Sequence, residues 1–214
     1  MTHARLRAAL ALLLALLALP AAATQDGWPA LHDVARVAAD DVLNLRAGPG
    51  ASYAIVGALA PNARGIEVIR PSGDLRWGLV NTREGAAWAS LAFLDRRPGQ
   101  YEGALPAFAR CFGTEPFWSL EQGPDGAFTL SDIARDDMTF ARRTDVLGAD
   151  GRLDRYAILA RGEGTGPGLT LVLRRAACSD GMSDRAYGLE VDLLRGGPAP
   201  SLLTGCCSLE AGQR

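Results

Sequence analysis

Three carboxylates, Glu115, Asp180 and Asp184, are the side chains of this sequence that best suit acid–base or metal chemistry. Paired carboxylates act as general acid and base in glycan-cleaving enzymes, and carboxylate oxygens are ligands that Ca²⁺ prefers. The spacing of the two aspartates, however, lacks the ordered oxygen pattern of a calcium loop. Asp180 precedes a glycine, as in turns whose aspartate accepts backbone hydrogen bonds. We therefore predict a turn here, with no catalytic residue, metal or cofactor.

The scarcity of histidine and lysine excludes several further classes of enzyme. The chain has two histidines, and all of its basic residues are arginine. Without lysine there is no Schiff-base chemistry. His3 lies within residues 1–23, which are expected to be cleaved as a signal peptide, so a hydrolase with a catalytic triad would depend on His32 alone. A zinc site would likewise lack its usual nitrogen ligands. We predict that the protein is not an enzyme. The formal net charge of -2, without a basic block, also argues against nucleic acid as a partner.

The first two dozen residues have the layout of a secretory signal peptide. Arg5 and Arg7 precede an uninterrupted Ala/Leu run, Ala8–Leu19, and three alanines ending at Ala23 offer a small-residue cleavage site. The apolar run is shorter than the roughly 20 residues that a membrane-spanning helix needs. We therefore expect a signal peptide over residues 1–23, no membrane span, and a periplasmic or secreted protein.

Four cysteines, Cys111, Cys178, Cys206 and Cys207, lie in the C-terminal half. In an exported chain an even number of cysteines indicates disulfides. Adjacent cysteines rarely bridge each other, because a trans peptide does not give the required separation. Excluding a Cys206–Cys207 bridge leaves two of the three pairings open. Neither a CxxC motif nor histidine supports a metal site, so we predict structural disulfides.

Short alternating segments divided by turn residues predict strands in both halves. Val42–Arg46 is one example, and it ends in the breaker Gly48–Gly50. Five or more such strands within residues 34–94, closed by Leu91–Leu94, favour a small barrel, because closure removes exposed edges. The polar segment Arg96–Gln100 is a predicted linker. Seven or eight further strands, without helical periodicity, favour an antiparallel barrel or sandwich.

Four segments of the first half resemble the bacterial SH3 family: Leu43–Gly50, Val56–Leu59, Trp77 with Val80, and Gly85–Ala89. The usual Gly-Trp-Val ending is altered, because two alanines precede Trp88 and an alanine follows it. The resemblance implies an exported module that binds peptidoglycan or peptides rather than a catalyst.

Three aromatic residues of that module are candidates for ligand binding: Tyr53, Trp77 and Trp88. Aromatic rings offer large contact area at low entropic cost, which suits peptides and glycans. The alternative for the two tryptophans is that they are core residues of a small barrel. Arg46 is predicted to steady the loop by pairing with Asp40 or Asp41, or else to meet a carboxylate of the ligand.

Three segments of the second half, Cys111–Trp118, Cys178–Asp184 and Gly205–Cys207, resemble an uncharacterised family of exported proteobacterial proteins and lipoproteins. That family offers no established activity to carry over. This sequence differs from its lipoprotein members because it has no lipid-attachment cysteine.

Together these observations predict an all-β chain: a small SH3-like barrel followed by a disulfide-stapled antiparallel β-barrel or sandwich. The expected units are the signal peptide at 1–23, the SH3-like domain at 30–96 and the disulfide-linked domain at 105–210. We expect a periplasmic binding or scaffolding protein for peptide or peptidoglycan. The alternatives are an envelope enzyme with a carboxylate pair and an inhibitor of a wall-degrading enzyme.

Overall fold

The computed structural model describes residues 25–133, 135–141, 145–162, 166 and 168–209. The expected signal peptide at 1–23, and residue 210 at the end of the second expected unit, lie outside the described residues. Regular structure in the described part consists of sixteen strands and one 3-10 helix, Leu91–Phe93. The predicted all-β class with antiparallel sheets and disulfides is thereby confirmed.

The first sheet contains seven strands: β1 (Ala30–Val34), β2 (Leu43–Arg46), β3 (Ile55–Leu59), β4 (Ile66–Pro71), β5 (Trp77–Asn81), β6 (Ala86–Ser90) and β7 (Leu94–Arg96). They pair antiparallel in the order β3-β2-β6-β5-β4-β1-β7. Alternation decides which side chains are buried, since successive residues of a strand face opposite sides. In β2, Leu43 and Leu45 are buried, whereas Asn44 and Arg46 are only partly covered. The inner face carries the core cluster Val34, Leu43, Leu45, Val68, Val80, Ala87, Ala89 and Leu94.

The second sheet contains nine strands: β8 (Arg110–Thr114), β9 (Phe117–Gln122), β10 (Phe128–Asp132), β11 (Arg135–Phe140), β12 (Asp145–Gly148), β13 (Arg155–Ala160), β14 (Leu169–Cys178), β15 (Tyr187–Arg195) and β16 (Ser201–Ser208). Their order is β11-β10-β9-β8-β16-β15-β14-β13-β12. The count exceeds the predicted seven or eight. All four residues of β12 are exposed, so this strand has no inward-facing apolar residues for a sequence pattern to show.

The core of the second sheet is built from directly opposed apolar residues. Leu171 lies opposite Ile158 of β13 and Leu193 of β15, and all three are at most 1% exposed. Each fully buried aliphatic side chain of this kind stabilises the fold by about 1.5–3 kcal/mol relative to exposure. Strands β13, β14 and β15 therefore contribute a continuous apolar layer to the core of the second sheet.

The segment predicted as a linker, Arg96–Gln100, is fixed by hydrogen bonds. The Gln100 side chain accepts from the Leu31 N–H at 2.6 Å and donates to the Leu31 carbonyl at 2.8 Å. The Arg96 guanidinium lies 4.5 Å from the ring centroid of Trp28. Leu31 itself packs against the core of the second sheet. Strand β1 thus contributes side chains to both cores, and the connection between the sheets is held in place.

Part of the outer face of the first sheet is covered by the second sheet. Glu67, 3% exposed, accepts hydrogen bonds from the Ser208 hydroxyl and, at 3.1 Å, from the Leu209 N–H. The Asn81 side chain donates to the Ala186 carbonyl at 2.9 Å and accepts from the Ala186 N–H at 3.0 Å. We call the outer-face residues Leu31, Glu67 and Asn81 the docked end. Their polar groups are used to join the two sheets.

Candidate functional site

The opposite end of the same outer face borders a cleft of about 600 Å³. Trp77 of β5 lies opposite Ser90 of β6, and both line the cleft together with Asn44 and Arg46 of β2. Its apolar lining includes Phe93, which is 39% exposed. We call it the Trp77 cleft.

The turn before β5 places Trp77 at the rim of this cleft. The Trp77 N–H donates to the Ser72 hydroxyl oxygen at 3.0 Å, and the Ser72 N–H donates to the Trp77 carbonyl at 2.7 Å. The Ser72 hydroxyl in turn donates to Asp74 at 2.5 Å. This hydrogen bond, followed by one from the Arg76 N–H, holds the pKa of Asp74 below its ordinary value. The turn therefore presents Arg76 and Trp77 in a defined backbone position.

A second, smaller cleft of about 390 Å³ shares three lining residues with the first. Arg76, Trp77 and Ser90 line both clefts, and Leu75, Leu91 and Ala92 complete the smaller one. Leu75 is 67% exposed and has a φ of +57°, a backbone conformation that is uncommon for a residue other than glycine. The turn thus exposes the apolar side chain of Leu75 in the smaller cleft, and Trp77 lines both this cleft and the Trp77 cleft.

Cationic side chains predominate in the Trp77 cleft. Arg36, Arg46 and Arg76 line it, against the single carboxylate of Asp41. Asp41 accepts a hydrogen bond from the Val42 N–H at 2.7 Å. Three guanidinium groups and one carboxylate thus line the cleft, and one of these guanidinium groups, that of Arg36, is paired with Asp95 at 2.5 Å.

Of the three aromatic residues predicted to bind a ligand, Trp77 alone lines the cleft. Trp88 lies on the same face, opposite Leu79 and Arg46, with the Arg70 guanidinium 4.9 Å from its ring centroid. Neither tryptophan belongs to the buried core of the first sheet, so the alternative interpretation as core residues does not hold. Trp88 is a diagonal neighbour of Trp77 in the sheet but lies outside the cleft.

Tyr53, which is 50% exposed, packs over the Gly48–Gly50 turn. A β-carbon at Gly48 would collide with the tyrosine ring, and one at Gly50 would lie 3.3 Å from it. Arg46 donates to the Tyr53 carbonyl oxygen at 2.7 Å. Among the described residues this carbonyl, rather than Asp40 or Asp41, is the recorded partner of Arg46. The sequence thus identified the residue that steadies the loop but not its partner.

Arg76 and Phe93 are among the residues of the cleft that sequence analysis missed. The segment Leu91–Leu94 was predicted to be a strand, but its first three residues form the 3-10 helix. That turn directs Phe93 outward while Leu94 enters the core at 6% exposure. Two large apolar residues in succession were the available signal, since alternation in a strand buries only one of them.

The four predicted disulfide cysteines form two bridges, Cys111–Cys207 and Cys178–Cys206, with Cα separations of 3.9 and 5.7 Å. This arrangement is one of the two pairings left open by the sequence. Cys111 and Cys207 lie opposite each other on β8 and β16. Cys178 and Cys206 lie on strands flanking β15. These cysteines are structural, and the described residues contain no free cysteine.

Of the three carboxylates considered for catalysis, Asp180 is engaged by hydrogen bonds from its own turn. Asp180 accepts hydrogen bonds from the N–H groups of Met182 at 3.0 Å and Ser183 at 2.9 Å, and from the Ser183 hydroxyl at 2.7 Å. Partial burial alone would raise the pKa of Asp180, but these hydrogen bonds outweigh it and lower the pKa. Within the described ranges no group of three His, Cys, Asp or Glu residues could hold a metal ion. The arrangement at Asp180 is that of a turn.

His32 is 3% exposed on β1 and stacks on Trp28 with the ring centroids 5.6 Å apart. Its Nδ1 lies 3.0 Å from the Ala30 carbonyl oxygen. Burial lowers the pKa of His32 from 6.5 to about 4, against the opposing effect of that hydrogen bond, and nearby Arg96 lowers it further. A buried, neutral histidine in this position supports the fold rather than a hydrolytic site.

Comparison of the chain with protein-family models, curated proteins and solved structures found no match in any of the three. In the part of the chain that the structure describes, none of the helical structure is both long and apolar enough to cross a membrane. The two disulfides are of the kind that forms and persists in oxidising compartments.

Proposed function

We propose that this is an exported, non-enzymatic binding protein that holds a peptide or a peptidoglycan element in the Trp77 cleft. The observation that carries the proposal is the cleft itself, where an aromatic ring and exposed apolar side chains lie among three guanidinium groups. Concave, mostly apolar sites with a few placed polar groups are the usual form of ligand sites.

The position of the cleft agrees with the resemblance of the first half to the bacterial SH3 family. The segment Leu43–Gly50, which carries much of that resemblance, contributes Asn44 and Arg46 to the cleft, and Ala51 just beyond it also lines the cleft. Trp77, a second element of the resemblance, lines the same cleft from β5, with β6 between it and β2. In such modules the ligand is held by aromatic contacts and backbone groups. The second sheet serves as a scaffold that covers the other end of the same face.

The proposed compartment is the periplasm or the extracellular medium. The signal-peptide pattern at residues 1–23 and the two disulfides support it, because disulfides are rare in reducing compartments. The hydrogen bonds at Asp180 support a non-enzymatic role, because a general acid or base must exchange its proton with a substrate.

Sedimentation of the purified protein with isolated cell-wall sacculi tests the proposal. Trp88→Ala is the matched control for Trp77→Ala, since both remove a half-buried tryptophan from the same face and only Trp77 lines the cleft. We expect the wild-type protein and Trp88→Ala to sediment with sacculi, and Trp77→Ala to lose at least about tenfold in affinity, or about 1.4 kcal/mol. Absence of wild-type binding at low salt, or equal losses in the two variants, would contradict the proposal.

A further inference from the structure

We propose that Arg76 is the residue that selects a free carboxylate on the ligand of the Trp77 cleft. This inference rests on the proposed function and deepens it, since it names the chemical group that the cleft prefers. The ligand is an anionic peptide or peptide-bearing glycan whose carboxylate meets Arg76 while an apolar part contacts Trp77.

Two of the three arginines in the cleft already have partners. Arg36 forms an ion pair with Asp95 at 2.5 Å and donates to the Ala92 carbonyl at 2.7 Å. Arg46 donates to the Tyr53 carbonyl at 2.7 Å. Both guanidinium groups therefore hold local structure, and an incoming anion would compete with those contacts.

Arg76 differs from them because, within the described residues, no hydrogen bond or ion pair engages its side chain. Its charge acts on Asp74 only through space, where it lowers the pKa of that carboxyl less than the Ser72 hydrogen bond does. The neighbouring carboxylate, Asp74, accepts from the Ser72 hydroxyl at 2.5 Å and from the Arg76 backbone N–H at 3.2 Å. Asp74 is thus satisfied by the turn, and the adjacent guanidinium remains available to a ligand.

The backbone of Arg76 is fixed on both sides. Its N–H donates to Asp74, and its carbonyl accepts from the Leu91 N–H at 3.0 Å. Arg76 also lines both clefts that meet at Trp77. A guanidinium on a fixed backbone at such a junction can offer two parallel N–H donors to one carboxylate, which is the strongest geometry for this pair.

The charges around the cleft favour the same ligand chemistry. Its one lining carboxylate, Asp41, is already bonded to the Val42 N–H. Arg36 is paired with Asp95, so within the described residues Arg46 and Arg76 are the lining cations without an ion pair, and they attract an anion more than a neutral ligand of equal shape.

The test compares soluble muropeptides carrying free stem-peptide carboxylates with the same muropeptides after amidation of those carboxylates. Isothermal titration measures both affinities for the wild-type protein, for Trp77→Ala, for Arg76→Gln and for Arg83→Gln. Arg83 is exposed in the turn between β5 and β6 and lies outside both clefts, so its substitution removes one charge elsewhere.

We expect the wild-type protein and Arg83→Gln to bind the free acid about tenfold more tightly than the amide. Arg76→Gln is expected to bring its affinity for the acid within about twofold of its affinity for the amide. If the wild-type protein binds acid and amide equally while Trp77→Ala abolishes both, the carboxylate preference is wrong and the proposed function stands. If the wild-type protein binds neither form, both proposals fall. If Arg76→Gln keeps the tenfold preference, another residue selects the carboxylate and the assignment to Arg76 is overturned.

Discussion

The docked end and the Trp77 cleft occupy the same face of the same sheet, yet their polar groups are used in opposite ways. At the docked end, Glu67 is buried and hydrogen-bonded to the second sheet. At the cleft, Trp77 stays half-exposed and Arg76 makes no side-chain hydrogen bond or ion pair within the described residues. The second sheet thus covers one end of this face and leaves the other end open.

The largest expected effect concerns the second sheet, which covers the docked end. In the double variant Cys111→Ala/Cys207→Ala, the lost bridge would have closed a loop with a sequence separation of 96. The chain-entropy model gives a loss of about 4–5 kcal/mol in the free energy of unfolding. Denaturant unfolding measures it. Because Cys207 adjoins Ser208, we also expect faster hydrogen exchange at the docked end. Equal exchange there in both proteins would contradict the link between the disulfide and the docked end.

The next effect is a pH dependence that arises beside the docked end. His32 has a folded-state pKa of about 4, below its ordinary value of 6.5, so folding favours the neutral ring. The resulting stabilisation is complete above about pH 6.5 and is lost as the pH falls toward 4. The free energy of unfolding should change by up to about 1.4 kcal/mol per pH unit in this window. Unfolding curves of wild type and His32→Phe at several pH values measure the difference, and identical slopes would show that His32 is not responsible.

A smaller effect tests the docked end directly. Glu67→Gln keeps the size of the side chain but removes the charge that accepts hydrogen bonds from Ser208 and Leu209. Hydrogen bonds to charged groups contribute about 1.5–3 kcal/mol, so we expect a loss of about 2 kcal/mol. The control is Glu84→Gln, at an exposed residue of the turn between β5 and β6, with an expected change within about 0.5 kcal/mol. Equal stabilities for the two variants would mean that the docked end contributes nothing.

The smallest effect concerns the Trp77 cleft, which Arg46 lines. Arg46→Gln removes the hydrogen bond to the Tyr53 carbonyl in an exposed loop, and we expect it to cost about 0.5–1 kcal/mol of stability. Thermal unfolding measures this change. A loss larger than that of Glu67→Gln would reverse the comparison between the two ends.

Sequence patterns predicted the strands of the first sheet well where alternation is regular. Leu43 and Leu45 enter the core and Arg46 does not, as their spacing in β2 required. The same alternation puts Glu67 on the outer face, where a charged residue is ordinarily solvated. Its burial depends on docking of β16, which has no local signal, so the docked end could not be predicted.

The disulfide pairing shows a similar limit. Adjacent residues of a strand point to opposite faces, so Cys206 and Cys207 must reach different partners. Whether Cys206 or Cys207 meets Cys111 depends on the register of β16 against β8. The observed register places Cys207 opposite Cys111. That register is set by long-range pairing and not by the residues near the cysteines. The cleft shows the same limit, since Trp77 is one of the aromatic residues that the sequence predicts to bind a ligand, whereas Phe93 lies in a 3-10 helix that strand alternation does not predict.

The proposed function places ligand binding at Trp77 and not elsewhere on the molecule. The chain has four tryptophans, and each gives one indole N–H signal in an NMR spectrum of the ¹⁵N-labelled protein. Trp118 is buried in the second core at 4% exposure, and Trp28 lies beneath the Arg96 guanidinium. On titration with soluble muropeptides we expect the Trp77 signal to shift while those of Trp28 and Trp118 stay fixed. Shifts at Trp28 or Trp118 without one at Trp77, or no shift at saturating ligand, would contradict the claim.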